Sequence, residues 1–222
     1  MTLAELTAAA EAAGLAYRGG FLLTAKERVG PLASLRSVAL FGNVGARQWP
    51  AFAASPEAAD GRPHPLDRWS RRVLGALAER FGAAALFPFD GSPYWPFQRW
   101  AQRAEPLSPS PLGLFIHPRY GLSHSYRGAL GLAEPLELGA AEQAPNPCEA
   151  CAARPCLSTC PVGAFSGGGY DVAACAAWLK GAGQACMAGG CLARRACPVG
   201  PEYAQSPEQA AFHIRAFVAA RG

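Results

Sequence analysis

The chain is poor in lysine, poor in charge and free of cysteine through its first two thirds. Lys26 and Lys180 are the only lysines among 20 basic residues, so arginine carries the positive charge. Charged residues make up 16% of the chain and the net charge is +4. That balance is too weak to point to nucleic acid as a partner. A hydrophobic content of 50% excludes disorder, which needs low hydrophobicity and high net charge. Long apolar runs are missing too. Phe21-Leu22-Leu23 and Phe115-Ile116 fall far short of the roughly 20 residues that a helix needs to cross a bilayer. The start, Met-Thr-Leu-Ala-Glu-Leu, has neither a basic nor an apolar leader region. The expectation is a cytoplasmic chain with no membrane segment, in a compartment where thiols stay reduced.

At 222 residues the chain suits one sizeable domain with a small module attached. Cysteine marks the division. Residues 1–147 contain none, and all eight lie between Cys148 and Cys197. Two domains are expected, 1–144 and 145–222. In the first, Thr2-Leu3-Ala4-Glu5 has the form of a capping box, and Leu3, Leu6 and Ala10 recur at helical spacing. Runs at 15–24, 37–41, 83–87, 112–116 and 126–132 read as strands. Residues 65–81 read as a helix, with Leu66, Trp69, Val73, Leu77 and Phe81 on one face and Arg68, Arg71, Arg72 and Glu79 on the other. The alternation makes the fold class α/β.

Two connecting segments, 87–100 and 116–128, interleave aromatics with Asp90, His117, Arg119, His124 and Arg127. That mixture suits a pocket for a large, flat, partly polar ligand. The plainer reading makes the aromatics core and the polar groups a solvated rim. His64 and His213 read as structural or surface residues.

The cysteines fall into groups. Cys148-x2-Cys151-x4-Cys156-x3-Cys160-Pro161 is followed by Cys175 in a helical stretch, then by Cys186-x4-Cys191-x5-Cys197-Pro198. A Cys-x2-Cys pair leading to x3-Cys-Pro is the bacterial ferredoxin pattern, in which the fourth thiolate reaches across to a second cluster. Eight cysteines match two 4Fe–4S clusters. On that pattern Cys148, Cys151, Cys156 and Cys197 hold one cluster, and Cys160, Cys175, Cys186 and Cys191 the other. The x4 gap before Cys156 and the long gaps around Cys191 leave the partition open. Two four-cysteine zinc sites are the rival.

With these motifs in view, the chain resembles epoxyqueuosine reductase. An α/β module, four cysteines, a lone helical cysteine at Cys175 and three more ending in Cys-Pro follow that family's order. The resemblance implies two 4Fe–4S clusters, a cobalamin cofactor and reduction of an epoxide on a modified tRNA nucleoside. The first module also resembles the cobalamin-processing proteins of nitroreductase-related fold. Ile116-His117-Pro118-Arg119-Tyr120-Gly121 and Tyr126-Arg127-Gly128 carry that likeness. It implies a corrinoid-binding domain over 1–144, followed by a ferredoxin-like domain with a C-terminal helix. His117, Arg119, Tyr120, Gly121 and Arg127 would then border the corrinoid, and Asp90 would be the proton donor.

The function expected from these readings is a corrinoid-binding iron–sulfur reductase that passes electrons through two clusters to cobalamin. Its action would be removal of the corrinoid's upper ligand or reduction of a small substrate. A ferredoxin- or flavodoxin-type donor protein would supply the electrons. A relay protein without a catalytic centre is the alternative, and a shortened tRNA reductase the third. The weak basic charge makes nucleic acid an unlikely partner in this reading.

Overall fold

The computed structural model describes residues 2–138, 142–166 and 169–221. Helix α1 (Leu3–Ala12) begins at a capping box. The Thr2 hydroxyl accepts from the Glu5 amide at 3.2 Å, and the Glu5 carboxylate accepts from the Thr2 amide at 2.7 Å, satisfying two donors that a helix start leaves open. Leu6 and Ala10, one turn apart, form its buried face. Strands β1 (Ala16–Leu22) and β2 (Ser37–Val44) pair antiparallel, from Ala16 opposite Gly42 to Leu22 opposite Ser37. Every residue of β2 is buried, as suits a strand covered on both faces.

Helix α2 (Pro65–Phe81) follows the span that periodicity predicts. Pro65 stands at its first position, and Gly82 closes it in the left-handed conformation (φ 61°), the C-terminal arrangement that glycine permits without strain. Trp69, Val73, Leu74 and Leu77 form its buried face. Strand β3 (Ala84–Leu86), helix α3 (Phe97–Ala104) and strand β4 (His124–Leu132) follow. The sheet runs β1-β2-β4-β3, with β3 and β4 antiparallel. Phe21, Val38, Leu40, Leu86 and Trp100 share one apolar core.

A bulge in β1 brings a charge into this unit. The pairing shifts register between Tyr17 and Gly20, where Gly19 takes φ +74° and a Cβ would lie 2.6 Å from the Ala104 carbonyl oxygen. Only glycine fits there. The bulge turns Arg18 inward, where its side chain is 1% exposed. Its Nε and Nη2 donate to the Glu105 carboxylate at 2.9 and 2.7 Å, and its Nη1 donates to the Asn43 carbonyl at 2.9 Å. The guanidinium also lies 4.9 Å from the Tyr126 ring centre, and the Tyr126 hydroxyl donates to Glu105. Burial pushes the Tyr17 phenol up to about 12, with the Glu105 charge adding to it.

These elements make up one unit, Met1–Pro106 with Ser125–Gln143; the second is Leu107–His124 with Ala144–Gly222. The chain is therefore mixed α/β, and the units divide at 143/144, one residue from the expected 144/145; the departure is that residues 107–124 belong to the second unit. Residues 107–124 pack with the cysteine segment. The reason is apolar: Leu112, Ile116 and Leu122 are buried together with Ala193, and Cys148, Cys156, Cys160, Cys191, Cys197 and Val199 pack around them. The fifth strand expected at 112–116 shrinks to Phe115–Ile116. It pairs with Ser108–Pro109 and takes no part in the large sheet.

The second unit also holds α4 (Val172–Lys180), capped by the Asp171 carboxylate, which accepts from the Ala174 amide at 2.9 Å. Helices α5 (Gln184–Gly189) and α6 (Pro207–Ala219) complete it, the latter capped by Ser206. Among the described residues no helix is long and apolar enough to cross a membrane.

Glu105→Ala would leave the Arg18 guanidinium buried without its carboxylate. The expected loss is about 3–5 kcal/mol in the stability of the first unit. Urea unfolding followed by tryptophan fluorescence reads it, and a loss below about 1 kcal/mol would show that water reaches Arg18 at little cost.

Candidate metal centre

The second unit contains two cavities, each lined by four cysteines. Cys148, Cys151, Cys156 and Cys197 line one of about 370 Å3, together with Pro111, Ile116, Leu122, Pro147, Pro155, Pro198 and Val199. Cys160, Cys175, Cys186 and Cys191 line the other, of about 350 Å3, with Phe165, Trp178, Leu179 and Ile214. Pro147 precedes the first cysteine and Pro155 precedes Cys156. Pro161 and Pro198 follow the last cysteine of their groups. A proline fixes its own φ and withholds a donor, so the chain turns away after Cys160 and Cys197 instead of continuing a helix, while Pro155 opens the short helix that carries Cys156. Cys175 comes from the middle of α4, Cys186 from α5, and Cys191 caps the short helix Leu192–Arg195.

Electrostatics report the same grouping. Burial pushes the Cys148 thiol up, and the Cys197, Cys156 and Cys151 sulfurs add to the shift. Cys156 moves up by burial first, then through Cys197 and Cys151. Cys191 also rises by burial, opposed by amide hydrogen bonds from Arg194 and Ala193 and reinforced by Cys186 and Cys175. The Ala164 amide donates to Cys160 Sγ at 3.4 Å. Thiolates gathered this closely repel one another unless something positive binds between them. Apolar walls, sulfur donors and amides aimed at sulfur fit an iron–sulfur cluster, whose potential responds to such hydrogen bonds and to burial. A single zinc ion draws its four sulfurs to about 2.3 Å from one point. Among the described residues no group of three or more His, Cys, Asp or Glu side chains is gathered tightly enough to hold a metal ion of either kind.

The segment expected to touch a corrinoid, 116–121, lies in this same unit and has a local task. His117 and Gly121 exchange backbone hydrogen bonds at 2.9 Å. Within the turn, the buried His117 accepts at Nδ1 from the Arg119 and Tyr120 amides at 3.0 and 3.3 Å, and its ring stacks on Tyr120 at 4.2 Å. Arg119 Nε donates to the Tyr203 hydroxyl at 2.8 Å. Gly121 (φ +56°) presses on the stretch after Cys197, where a Cβ would come within 2.0 Å of the Val199 carbonyl oxygen. Gly200 (φ +62°) answers from the other side, its Cβ position 2.5 Å from the Arg119 carbonyl oxygen. The motif is a turn locked against the turn that carries Cys197.

The other two expected residues belong to the first unit. Arg127 Nε donates to Ser70 Oγ at 3.0 Å and its Nη2 donates to Asp67. Burial lowers its guanidinium from the ordinary value, and Asp67 works against that. Asp90 accepts from the Phe87 amide at 2.9 Å and from Arg71 Nη2 at 2.8 Å, with the Arg71 guanidinium over the Phe87 and Phe89 rings. It ties the loop after β3. The residues expected to hold a corrinoid are thus divided between the units, and the contacts of His117, Arg119, Gly121 and Arg127 lie within the fold.

Two residues near the sulfurs escaped the reading of the sequence. Arg194 is half-buried, and its Nε donates to the Leu122 carbonyl at 2.9 Å; desolvation lowers its guanidinium while Cys191 raises it. Tyr170 stacks on Phe165 at 4.7 Å. Burial raises its phenol and a hydrogen bond with Cys175 raises it further. An arginine pair inside the last cysteine group was the one available signal, and nothing marked Tyr170.

No protein-family model and no curated protein sequence matches the chain. Solved structures do. Selenomethionine-labelled epoxyqueuosine reductase is 16% identical, with a TM-score of 0.50 over 93% of this chain and 70% of that one. Epoxyqueuosine reductase crystallised with a tRNA-Tyr epoxyqueuosine-modified stem loop is also 16% identical, with a TM-score of 0.48 over 93% of this chain and 69% of the other. The enzyme from Streptococcus thermophilus is 15% identical, with a TM-score of 0.42 over 74% of this chain and 53% of its own. At such identities the likeness describes the fold, a mixed α/β chain resembling epoxyqueuosine reductase structures.

The expectation that nucleic acid is an unlikely partner is corrected by this comparison, since one of the similar chains carries a tRNA stem loop. A net charge of +4 sums the whole surface, whereas phosphate is held by local groups of arginines.

Gly121→Ala would force both a strained φ and a clash with the Val199 carbonyl. It should cost more than about 1 kcal/mol and loosen the turn at Cys197. Thermal unfolding of the variant checks this, and an unchanged Tm would mean that the two turns separate freely.

Proposed function

We propose that the chain is an iron–sulfur oxidoreductase carrying two 4Fe–4S clusters in its second unit, with an epoxide on a tRNA nucleoside as its substrate class. The observation that carries the reading is the division of eight cysteines between two cavities, four to each. When bound, such clusters supply one-electron transfer at potentials that the surrounding protein adjusts. The chain's own residues hold and shield them. Ile116, Leu122 and Val199 wall one cavity from water, and Phe165, Leu179 and Ile214 the other. Amides at Ala164, Ala193 and Arg194 point at sulfur, which favours the more negative, reduced state. The substrate class rests on the named activity of structures with a similar fold and on the cysteine order that resembles epoxyqueuosine reductase. No step is assigned to a corrinoid, because the contacts of His117, Arg119, Gly121 and Arg127 do not favour one.

Anaerobic reconstitution with iron and sulfide checks the cluster part of the reading. The wild-type chain should take up the iron and acid-labile sulfide of two cubanes. Cys156→Ser and Cys191→Ser should each lose about half of both, since one cluster in two is removed. Uptake of zinc in place of iron, or identical total loss in both variants with intact circular dichroism, would contradict it. For the substrate class, binding to a tRNA anticodon stem loop should weaken steeply with salt, as released counterions require. Binding independent of salt, or none, would remove RNA from the proposal and leave the cluster assignment standing.

A further inference from the structure

A third cavity, about 240 Å3 and open to solvent, lies in the second unit beside both cysteine sets. Cys191 borders it from one set and Cys197 from the other. Its size lies just below the range of drug-sized sites, and its lining is one-sided in charge. Arg194, Arg195 and His213 line it, and no Asp or Glu does, although the chain has 16 carboxylates. Ser123 and Gln205 add hydrogen-bonding groups, while Leu122, Val199 and Ile214 provide apolar surface.

Glycine makes the room. Gly189, Gly190 and Gly200 all line the cavity. A Cβ on Gly189 would stand 2.7 Å from Arg195 Nη1, so the guanidinium lies against bare backbone at the end of α5. Gly190 (φ +86°) lets the chain pass Ala210 of α6, whose Cβ is 2.7 Å from the position a side chain would occupy. An Arg fork held flat in this way offers paired N–H donors to a phosphate.

We propose that this cavity binds a free mononucleotide, its phosphate on Arg195 and His213 and its base on the Leu122, Val199 and Ile214 surface. The charge of the lining selects the phosphate, and Leu122, Val199 and Ile214 offer inorganic phosphate alone nothing to hold. This assignment goes beyond the two-cluster reading. It gives His213, which the sequence presents as an ordinary surface histidine, a ligand.

The test uses the full chain, loaded with clusters under anaerobic conditions, and isothermal titration with ADP. Saturable binding is expected, with adenosine and pyrophosphate each binding more weakly than ADP. Arg195→Gln and His213→Gln should each weaken ADP by roughly tenfold to a hundredfold, the worth of a hydrogen bond to a charged group. Gly189→Ala, which displaces the Arg195 guanidinium and keeps its charge, should weaken ADP as well. Absence of ADP binding at millimolar concentration, or affinity unchanged in Arg195→Gln, would overturn the proposal. So would displacement of ADP by an equal concentration of a tRNA stem loop, which would make the cavity part of an RNA-binding face. Iron content measured on the same samples separates failure of this site from failure of the clusters.

Discussion

Two turns meet backbone to backbone in the second unit, and the rest of that unit depends on the meeting. Gly121 stands where any side chain would strike the Val199 carbonyl, and Gly200 stands where one would strike the Arg119 carbonyl. Backbones packed this closely leave no slack for a sliding contact. The approach carries Ile116 and Leu122 into the core that the cysteines surround. Without residues 107–124 the cysteine segment would have few large apolar side chains to bury: short helices, glycines and alanines make up most of it. A small module of that kind needs metal or outside packing to hold its shape. This one draws on a segment that lies before it in the chain.

Each unit handles charge in its own way. In the first, the bulge at Gly19 buries the Arg18 guanidinium and Glu105 neutralises it with paired hydrogen bonds. Both partners are fixed, so the pair contributes specificity as much as energy. In the second, burial and neighbouring sulfurs push Cys148, Cys156 and Cys191 toward the neutral thiol, and something positive must bind among them for the thiolates to persist. The structure answers with amides directed at sulfur and with Arg194, half-buried near Cys191 and anchored to the Leu122 carbonyl. The same arginine that balances Cys191 therefore also fastens residues 107–124 to the helical turn following that cysteine. Charge compensation and the docking of the borrowed segment are one interaction.

What could be read from the sequence, and what could not, divides along the range of the interactions. Helix α2 was legible because its signals are local: Pro65 at the start, Gly82 at the end and an apolar face every three or four residues. The eight cysteines and their Cys-Pro endings were legible for a similar reason, as local punctuation, while the partition into two sets, which pairs Cys197 with cysteines some forty residues earlier, was left open by the spacing. The division near residue 144 was legible as well, but the crossing of residues 107–124 into the second unit was not. Residues 112–116 look like one more strand of an α/β sheet, and only the contact of Ile116 and Leu122 with Ala193, some seventy residues on, shows where they belong. The same distance hid the task of His117, Arg119 and Gly121. Their chemistry suits a ligand pocket on paper, and their contacts in the fold are with Tyr203, Val199 and each other. Asp90 and Arg127 likewise have partners that no spacing rule announces.

The order of the cysteines adds a constraint of its own. The set at Cys160, Cys175, Cys186 and Cys191 is nested inside the set that runs from Cys148 to Cys197. A cluster in the inner set closes a shorter stretch of chain than one in the outer set. Loop-closure entropy grows only with the logarithm of length, about 0.6 kcal/mol for each doubling, and the outer span is less than twice the inner one. Entropy therefore separates the two sets very little. What distinguishes them is the last cysteine. Cys197 reaches its three partners only while the Val199–Gly200 turn is seated on Gly121, whereas the inner set draws on α4, α5 and the helical turn after Cys191. Binding at the outer cavity is thus linked to the packing of residues 107–124, and binding at the inner cavity to the helices around it. The two cavities share a unit and a core, yet their assembly answers to different contacts.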